Sequence, residues 1–341
     1  MKIPLYIKLL LLLLLVGLTS LIIWSEYQRF LHQPVNLLED EVIFTVRPGD
    51  NISKVSQRLY DSGISPVPSI YLEIYARLLG TASMIKAGEY RILADATLPE
   101  LLQLFISGRV VQYSLTVVEG MTAQQLFDKI EEHPKIQLTL AELTNDTVRE
   151  ALSIENNLAE GWFLPETYHF PANTTDVQFL RRAHQKMQIE LDSAWQNMTE
   201  ELPYKSAYEV LIMASIIEKE SAIPQERPEI AGVFIRRLAK GMRLQTDPTV
   251  IYGMGESYAG NIRKKDLQTD TPYNTYTRFG LPPTPICLPS KESIEAAMRP
   301  AEGTSLYFVA GADNGGHVFS DTLEQHNRAV KNYWNKMRET Q

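Results

Sequence analysis

The chain has 341 residues, enough for two or three domains, and its 44% apolar and 22% charged residues are an ordinary globular balance. Its 33 Lys and Arg against 41 Asp and Glu leave a net charge of -8, which gives no electrostatic footprint for nucleic acid. Cys287 is the only cysteine, so no intrachain disulfide is possible, and the six histidines form no H-x-x-x-H pair of the kind a zinc site uses. No phosphate loop and no G-x-S-x-G elbow occurs, and no metal or other cofactor is expected.

In chain order, Ile3 to Trp24 is apolar apart from Pro4, Lys8 and a few small or mildly polar residues, and Leu9 to Trp24 carries no charge. At about 1.5 Å per residue this run, completed by flanking residues such as Tyr6 and Trp24, crosses a ~30 Å hydrocarbon layer. Lys2 and Lys8 precede it, which places the N-terminus in the cytoplasm. The run is long for a signal peptide, no A-x-A site follows, and no cysteine is present for lipidation. The expectation is a cytoplasmic end at 1–8, an uncleaved anchor at 9–25 and a stalk without a clear core at 26–40.

The β-branched and aromatic run Val42–Val46 predicts a strand, Arg47-Pro48-Gly49-Asp50 a turn, and Asn51 the cap of a helix to about Tyr60. A second helix over Pro68–Leu79 and a strand over Gly88–Ile92 complete a strand–helix–helix–strand unit at 41–93. Val46-Arg47-Pro48-Gly49-Asp50-Asn51-Ile52 resembles the opening of the LysM peptidoglycan-binding module, with Asn51 where a hydroxyl residue is usual. Leu98–Ile106 predicts a helix, Arg109–Leu115 the start of a strand, and Thr122 with Gln125 a capping box for a helix over Ala123–Ile130. These form a second small αβ module at 94–155, and a larger α+β domain is expected over 156–341.

That domain opens on Gly161-Trp162-Phe163-Leu164-Pro165-Glu166-Thr167-Tyr168, an aromatic stretch with polar groups that suits sugar binding and serves equally as a core plug. A long helix over Val177–Gln196 precedes the stretch Ala207–Ala222, one apolar helix carrying Glu218 and Glu220. At about 100° per residue, Glu218 shares its face with Ala207, Leu211, Ala214 and Ala222, whereas Glu220 falls on the side of Glu209, Met213 and Ile216. A carboxyl among apolar and small neighbours keeps its proton to higher pH, as a general acid requires, so Glu218 is the expected acid and Glu220 its control.

Leu244 to Val250 places Gln245, Thr246 and Asp247 in a turn stopped by Pro248, and Tyr273, Asn274 and Thr275 follow between two rings. Arg278 to Ile286 is a rigid proline loop suited to a recognition groove. With Glu166 and Tyr168, these six form the expected substrate-binding set. The chain closes on strands Leu306–Ala310 and His317–Ser320 around a turn at 313–316, then a helix from Asp321.

The ordered set E-G-W-F-L-P-E-T-Y, A-S-I-I-E-K-E, Q-T-D-P-T-V, P-Y-N-T-Y and G-L-P-P-T-P-I resembles the endolytic murein transglycosylases of the MltG (YceG-like) family over nearly the whole chain. The sequence departs at Cys287-Leu288-Pro289-Ser290 and Arg299-Pro300, where that family often runs Pro-Gly and then His-Pro. The resemblance implies a lytic transglycosylase with Glu218 as catalytic residue, in a single-pass protein of the bacterial inner membrane that faces the periplasm. It also implies nascent glycan strands as substrate, 1,6-anhydro-muramyl ends as product, and peptidoglycan synthases or elongation and division complexes as partners. Two other readings are a peptidoglycan-binding scaffold without catalysis and a glycoside hydrolase pairing Glu218 with Glu166 or Asp247.

Overall fold

The computed structural model describes residues 4–156, 158–198, 201–221, 223–311 and 316–339, and it mixes helices with short strands. The chain divides into two compact units, residues 1–113 with 170–172 and residues 114–169 with 173–341.

In the first unit the leucine-rich run forms α1 (Leu5–His32), 28 residues long and exposed over its apolar length. It is long and apolar enough to cross a membrane, with a mean hydropathy of 2.5 over its best stretch. The helix continues beyond the expected anchor into the segment read as a stalk, and Phe30 and Val35 there are core residues, a correction to that reading. Phe30 lies edge-on to Tyr75 with ring centroids 5.1 Å apart.

Next come β1 (Glu41–Val46), α2 (Ile52–Asp61), α3 (Ile70–Leu78) and β2 (Gly88–Leu93), in the expected order. β1 and β2 pair antiparallel from Glu41↔Leu93 to Val46↔Gly88, and Phe44 and Val46 alternate into the core. Asn51 caps α2, its Oδ1 accepting from the Lys54 N–H at 2.9 Å. In the turn before it, Asp50 binds the Arg47 N–H and the Arg58 guanidinium. α4 (Leu98–Ser107) covers the pair with Leu98, Leu101, Leu102 and Phe105 buried, and ends on Gly108 at φ 72°.

β3 (Gln112–Thr116) runs from the first unit into the second. There α5 (Ala123–Glu131) starts at the expected capping box, with Thr122 Oγ1 accepting from the Gln125 N–H and Gln125 Oε1 from the Thr122 N–H. β4 (Ile136–Gln137), α6 (Asn145–Leu152), β5 (Thr167–Pro171) and β6 (Thr174–Thr175) follow, β4 and β6 pairing in parallel. α7 (Asp176–Gln196) opens with buried Asp176, which accepts from the Thr139 and Leu140 N–H groups.

α8 (Ala207–Glu220) is the central element: Val210 to Ile217 are all buried, as a helix apolar on every side requires. Around it pack α7, α9 (Arg227–Ala239), α10 (Asp247–Met254) and α12 (Lys291–Met298); α11 (Lys264–Gln268) lies between α10 and α12 in sequence. The chain closes on an antiparallel pair, β7 (Tyr307–Ala310) and β8 (His317–Ser320), and α13 (Leu323–Glu339). Ala222 and residues 313–315 of the expected turn lie outside the described residues.

Two local expectations are corrected. Pro248 opens α10 instead of closing a turn, because a proline at the second helical position lacks only an N–H that has no intrahelical partner. The end of the proline loop is core: Pro282 and Thr284 to Ile286 are buried, as are Cys287 to Ser290 after it, and Ser215 on α8 holds it by accepting the Ile286 N–H at 3.0 Å. Gly161 allows this packing, since a Cβ there would come within 2.5 Å of Pro285.

Candidate active site

The last turn of α8 presents its two glutamates to different surroundings. Glu218 does not lie among apolar groups, which corrects the expected setting. Its Oε1 takes the Arg227 guanidinium at 2.9 Å, and both side chains are 5% exposed. Its Oε2 accepts from the Ser290 N–H at 2.9 Å, the Ser290 hydroxyl at 2.5 Å and the Ser293 hydroxyl at 2.8 Å. Arg227 also donates to Ser290 Oγ at 2.9 Å. Glu218 thus has hydrogen bonds on both oxygens and ties α8 to the start of α9 and to the N-terminus of α12.

Glu220 carries the unbalanced carboxyl. Removal from water pushes its pKa up to about 7, and the neighbouring Asp247 adds to the shift, against a hydrogen bond from Thr246 and the charges of His317 and Arg237. Thr246 Oγ1 donates to Oε1, and Oε2 has no hydrogen-bond partner among the described residues. Glu220 borders a cavity of about 550 Å³ whose other walls include Arg237, Gln245, Asp247, Tyr276 and His317.

The supports of that cavity explain the polar loops. Thr275 Oγ1 accepts from the Thr246 N–H at 3.1 Å and lies 2.9 Å from Thr249 Oγ1, fixing the residue that holds Glu220. Asn274 Nδ2 donates to the carbonyls of Asp266, Leu267 and Thr269, and its Oδ1 receives the Tyr276 N–H. Tyr276 then donates its hydroxyl to Asp247 Oδ1 at 2.6 Å. Gln245 sits at φ 53°, a backbone region sparsely used by non-glycine residues, with its side chain in the cavity wall.

A proton-holding carboxyl in a polar cavity at the end of a buried helix is the setting of acid–base chemistry. A family model, the YceG-like family, matches residues 44–332. The chain belongs to the YceG-like family. Over 325 residues, 90% of this chain and 89% of the relative, it is 30% identical to the endolytic murein transglycosylase of Bacillus subtilis. It is also 30% identical over 253 residues to the endolytic murein transglycosylase of Streptococcus pneumoniae, a match covering 72% of this chain and 45% of that protein. A crystal structure of a yceG-like protein from Listeria monocytogenes matches with a TM-score of 0.54 at 29% identity, covering 85% of this chain and 99% of that one.

In this YceG-like chain the expected site residues fall into three groups. Gln245 and Asp247 line the Glu220 cavity, and Thr246 bonds the carboxyl. Asn274 and Thr275 are buried supports, and Tyr273 bonds Thr284 while packing edge-on to Tyr252. Glu166 and Tyr168 lie apart: Glu166 pairs with Lys186 on a different cavity, and Tyr168 is buried with its hydroxyl on Leu164 O at 2.8 Å. The aromatic stretch is therefore largely a core plug, with Trp162 stacked on Tyr208.

Sequence reasoning missed Tyr276, Arg237 and His317. Tyr276 ends the P-Y-N-T-Y motif and could have been found there; Arg237 and His317 enter only through the fold. Also missed was Glu160, 2% exposed, which accepts the Ala123 N–H at 2.9 Å and the Tyr252 hydroxyl at 3.2 Å. Desolvation pushes its pKa up to about 7 against those hydrogen bonds.

Proposed function

We propose that this chain is a peptidoglycan lytic transglycosylase whose catalytic carboxyl stands in the last turn of α8, where the resemblance implies Glu218 and the cavity presents Glu220. The observation that carries the reading is the Glu220 carboxyl, with its pKa pushed up to about 7 and one oxygen unbonded, on the wall of the polar cavity. The names of the Bacillus and Streptococcus relatives support murein as the substrate and internal cutting of strands as the mode.

That carboxyl, protonated, gives its proton to the oxygen between MurNAc C1 and GlcNAc as the C1–O bond breaks. The C6 hydroxyl of the same MurNAc attacks C1, closing the 1,6-anhydro ring, and its proton passes to a base, for which the same carboxyl, then ionised, is available. No water needs activation. A hydrolase would need a second carboxylate at the same bond. Of the two candidates, Glu166 lies on another cavity, while Asp247 shares this one but is engaged by Tyr276.

α1 serves as a single-pass inner-membrane anchor with a cytoplasmic N-terminus, its length and hydropathy supporting that role. The remainder faces the periplasm, where nascent strands are met and shortened. The β1–α2–α3–β2 unit with its Val46-to-Ile52 turn serves as a LysM-like module that holds glycan. Synthases and elongation or division complexes at the same membrane are the protein partners.

The test is to incubate the full chain in detergent with glycan strands and read the strand ends by mass spectrometry. Anhydro ends support the reading; a loss of about 10³-fold in Glu220→Gln assigns the acid to Glu220, and the same loss in a folded Glu218→Gln alone assigns it to Glu218. Reducing ends mean a hydrolase, and no cleavage by folded wild type leaves a binding scaffold.

A further inference from the structure

A groove of about 400 Å³ lies where Glu166 and Glu119 meet, and bond cleavage as derived from α8 gives it no role. Four parts of the chain build it: the turn before α5 with Glu119, the loop 164–166, one face of α7 and the first turn of α12. On α7, Lys186, Ile189 and Glu190 are three and four positions apart and so share a face. Lys186 pairs with Glu166, and its Nζ lies 5.2 Å from the ring centroid of buried Tyr168. Lys291 of α12 pairs with Glu190 at 2.9 Å. Both lysines are thus held in place, while each ammonium group keeps donors beyond the one its glutamate takes. Ile189, 66% exposed, adds an apolar contact to the same groove.

The lining decides what kind of ligand fits. None of the described lining residues is aromatic, so the groove offers no ring face on which a pyranose would stack. Glu119 and Glu292 join Glu166 and Glu190, which sets four carboxylates against two ammonium groups and favours a ligand that carries an amine as well as carboxylates. The groove also reaches the end of α8: Arg227 Nη2 lies 3.7 Å from Glu119 Oε2 and 2.9 Å from Glu218 Oε1.

We propose that this groove binds the peptide arm of muramic acid, a short chain with an amine, carboxylates and alanine methyl groups. The inference rests on the transglycosylase reading and deepens it, since the peptide becomes part of what is recognised along with the sugar. The arm leaves MurNAc through the lactyl ether at C3, on the same ring as the C1 that reacts, so it emerges within one sugar of the catalytic carboxyl. Lys186 and Lys291 meet its carboxylates, Glu119 and Glu292 its amine, and Ile189 its methyl groups. Glu166 is then a positioning residue that holds Lys186 instead of touching the glycan. Because the arm stands off the bond that breaks, its contacts are the same before and in the transition state, and they act on KM more than on kcat.

The test gives the full chain in detergent three substrates: strands carrying their peptides, the same strands stripped by an amidase, and strands whose peptide amines are acetylated. Anhydro ends are counted for each. Wild type should show a KM for peptide-bearing strands about 10-fold below that for stripped ones, as a few exposed ion pairs allow. Acetylation should raise KM. Lys186→Ala combined with Lys291→Ala should bring the KM values for peptide-bearing and stripped strands together. Lys186→Arg combined with Lys291→Arg should keep them apart, a rescue by charge that a merely structural role would not show. The lysine side chains are 43% and 53% exposed, so these variants should keep the wild-type unfolding midpoint. Equal KM values for native and stripped strands in wild type, indifference to acetylation, or a preference that survives in the double alanine variant overturns the inference, while anhydro ends keep the function. Wild type that leaves no anhydro ends overturns the function and the inference with it.

Discussion

Glu218 and Glu220 are separated by one lysine, yet they end α8 in different surroundings because different elements meet them. Glu218→Gln removes the nearer and buried counter-charge of Arg227, leaving only exposed Glu119 at 3.7 Å, and breaking such a buried pair costs roughly 3–5 kcal/mol. The expected outcome is a clear drop in the midpoint of thermal or urea unfolding. Glu220→Gln should hold or raise that midpoint at neutral pH while abolishing turnover, since it removes a carboxyl that burial disfavours as an anion. With its pKa near 7, Glu220 is protonated below that pH, so turnover should decline as pH rises through about 7, read from anhydro-end formation between pH 5 and 9. The face analysis separated the two acids but could not give their surroundings. The groups that neutralise Glu218 come from Arg227, Ser290 and Ser293, and no helical projection of α8 contains residues up to 75 positions away.

At the scale of elements, the α5 box at Thr122 was legible because both partners of a cap lie within one turn. Pro248 was misread because the same residue ends one helix or opens another according to what precedes it. Glu160 illustrates a junction between elements: it receives an N–H from the first turn of α5 and a hydroxyl from α10. Its folded pKa of about 7 exceeds the ordinary 4.5, so folding takes up a proton there. The stability this gives is fully present below about pH 4.5 and is lost as pH rises toward 7, an amount of about 3 kcal/mol. Glu160→Gln should flatten the fall in unfolding midpoint between pH 5 and 8. A slope unchanged from wild type would refute the assignment.

For the whole molecule, the family was legible from ordered motifs, whereas the limits of the first unit were not. Phe30 and Val35 belong to its core although they follow an apolar helix and flank Pro34, a context that reads as a tether. Phe30→Ala should destabilise that unit by about 3–5 kcal/mol, measured by urea unfolding of the full chain in detergent. A fragment cut at Asp40 should unfold at lower urea than one cut at Ser25, since only the longer one keeps Phe30.

The unbroken course of α1 also sets a working height. On the proposed anchoring of residues 9–24 in a bilayer, Phe30 follows Trp24 by six helical positions, about 9 Å along the axis. The first unit is then carried on a short rigid post instead of a leash, pressed to the lipid headgroups. On that proposal the post would confine whatever the first unit binds to the layer nearest the membrane, and exclude what lies farther out by distance alone.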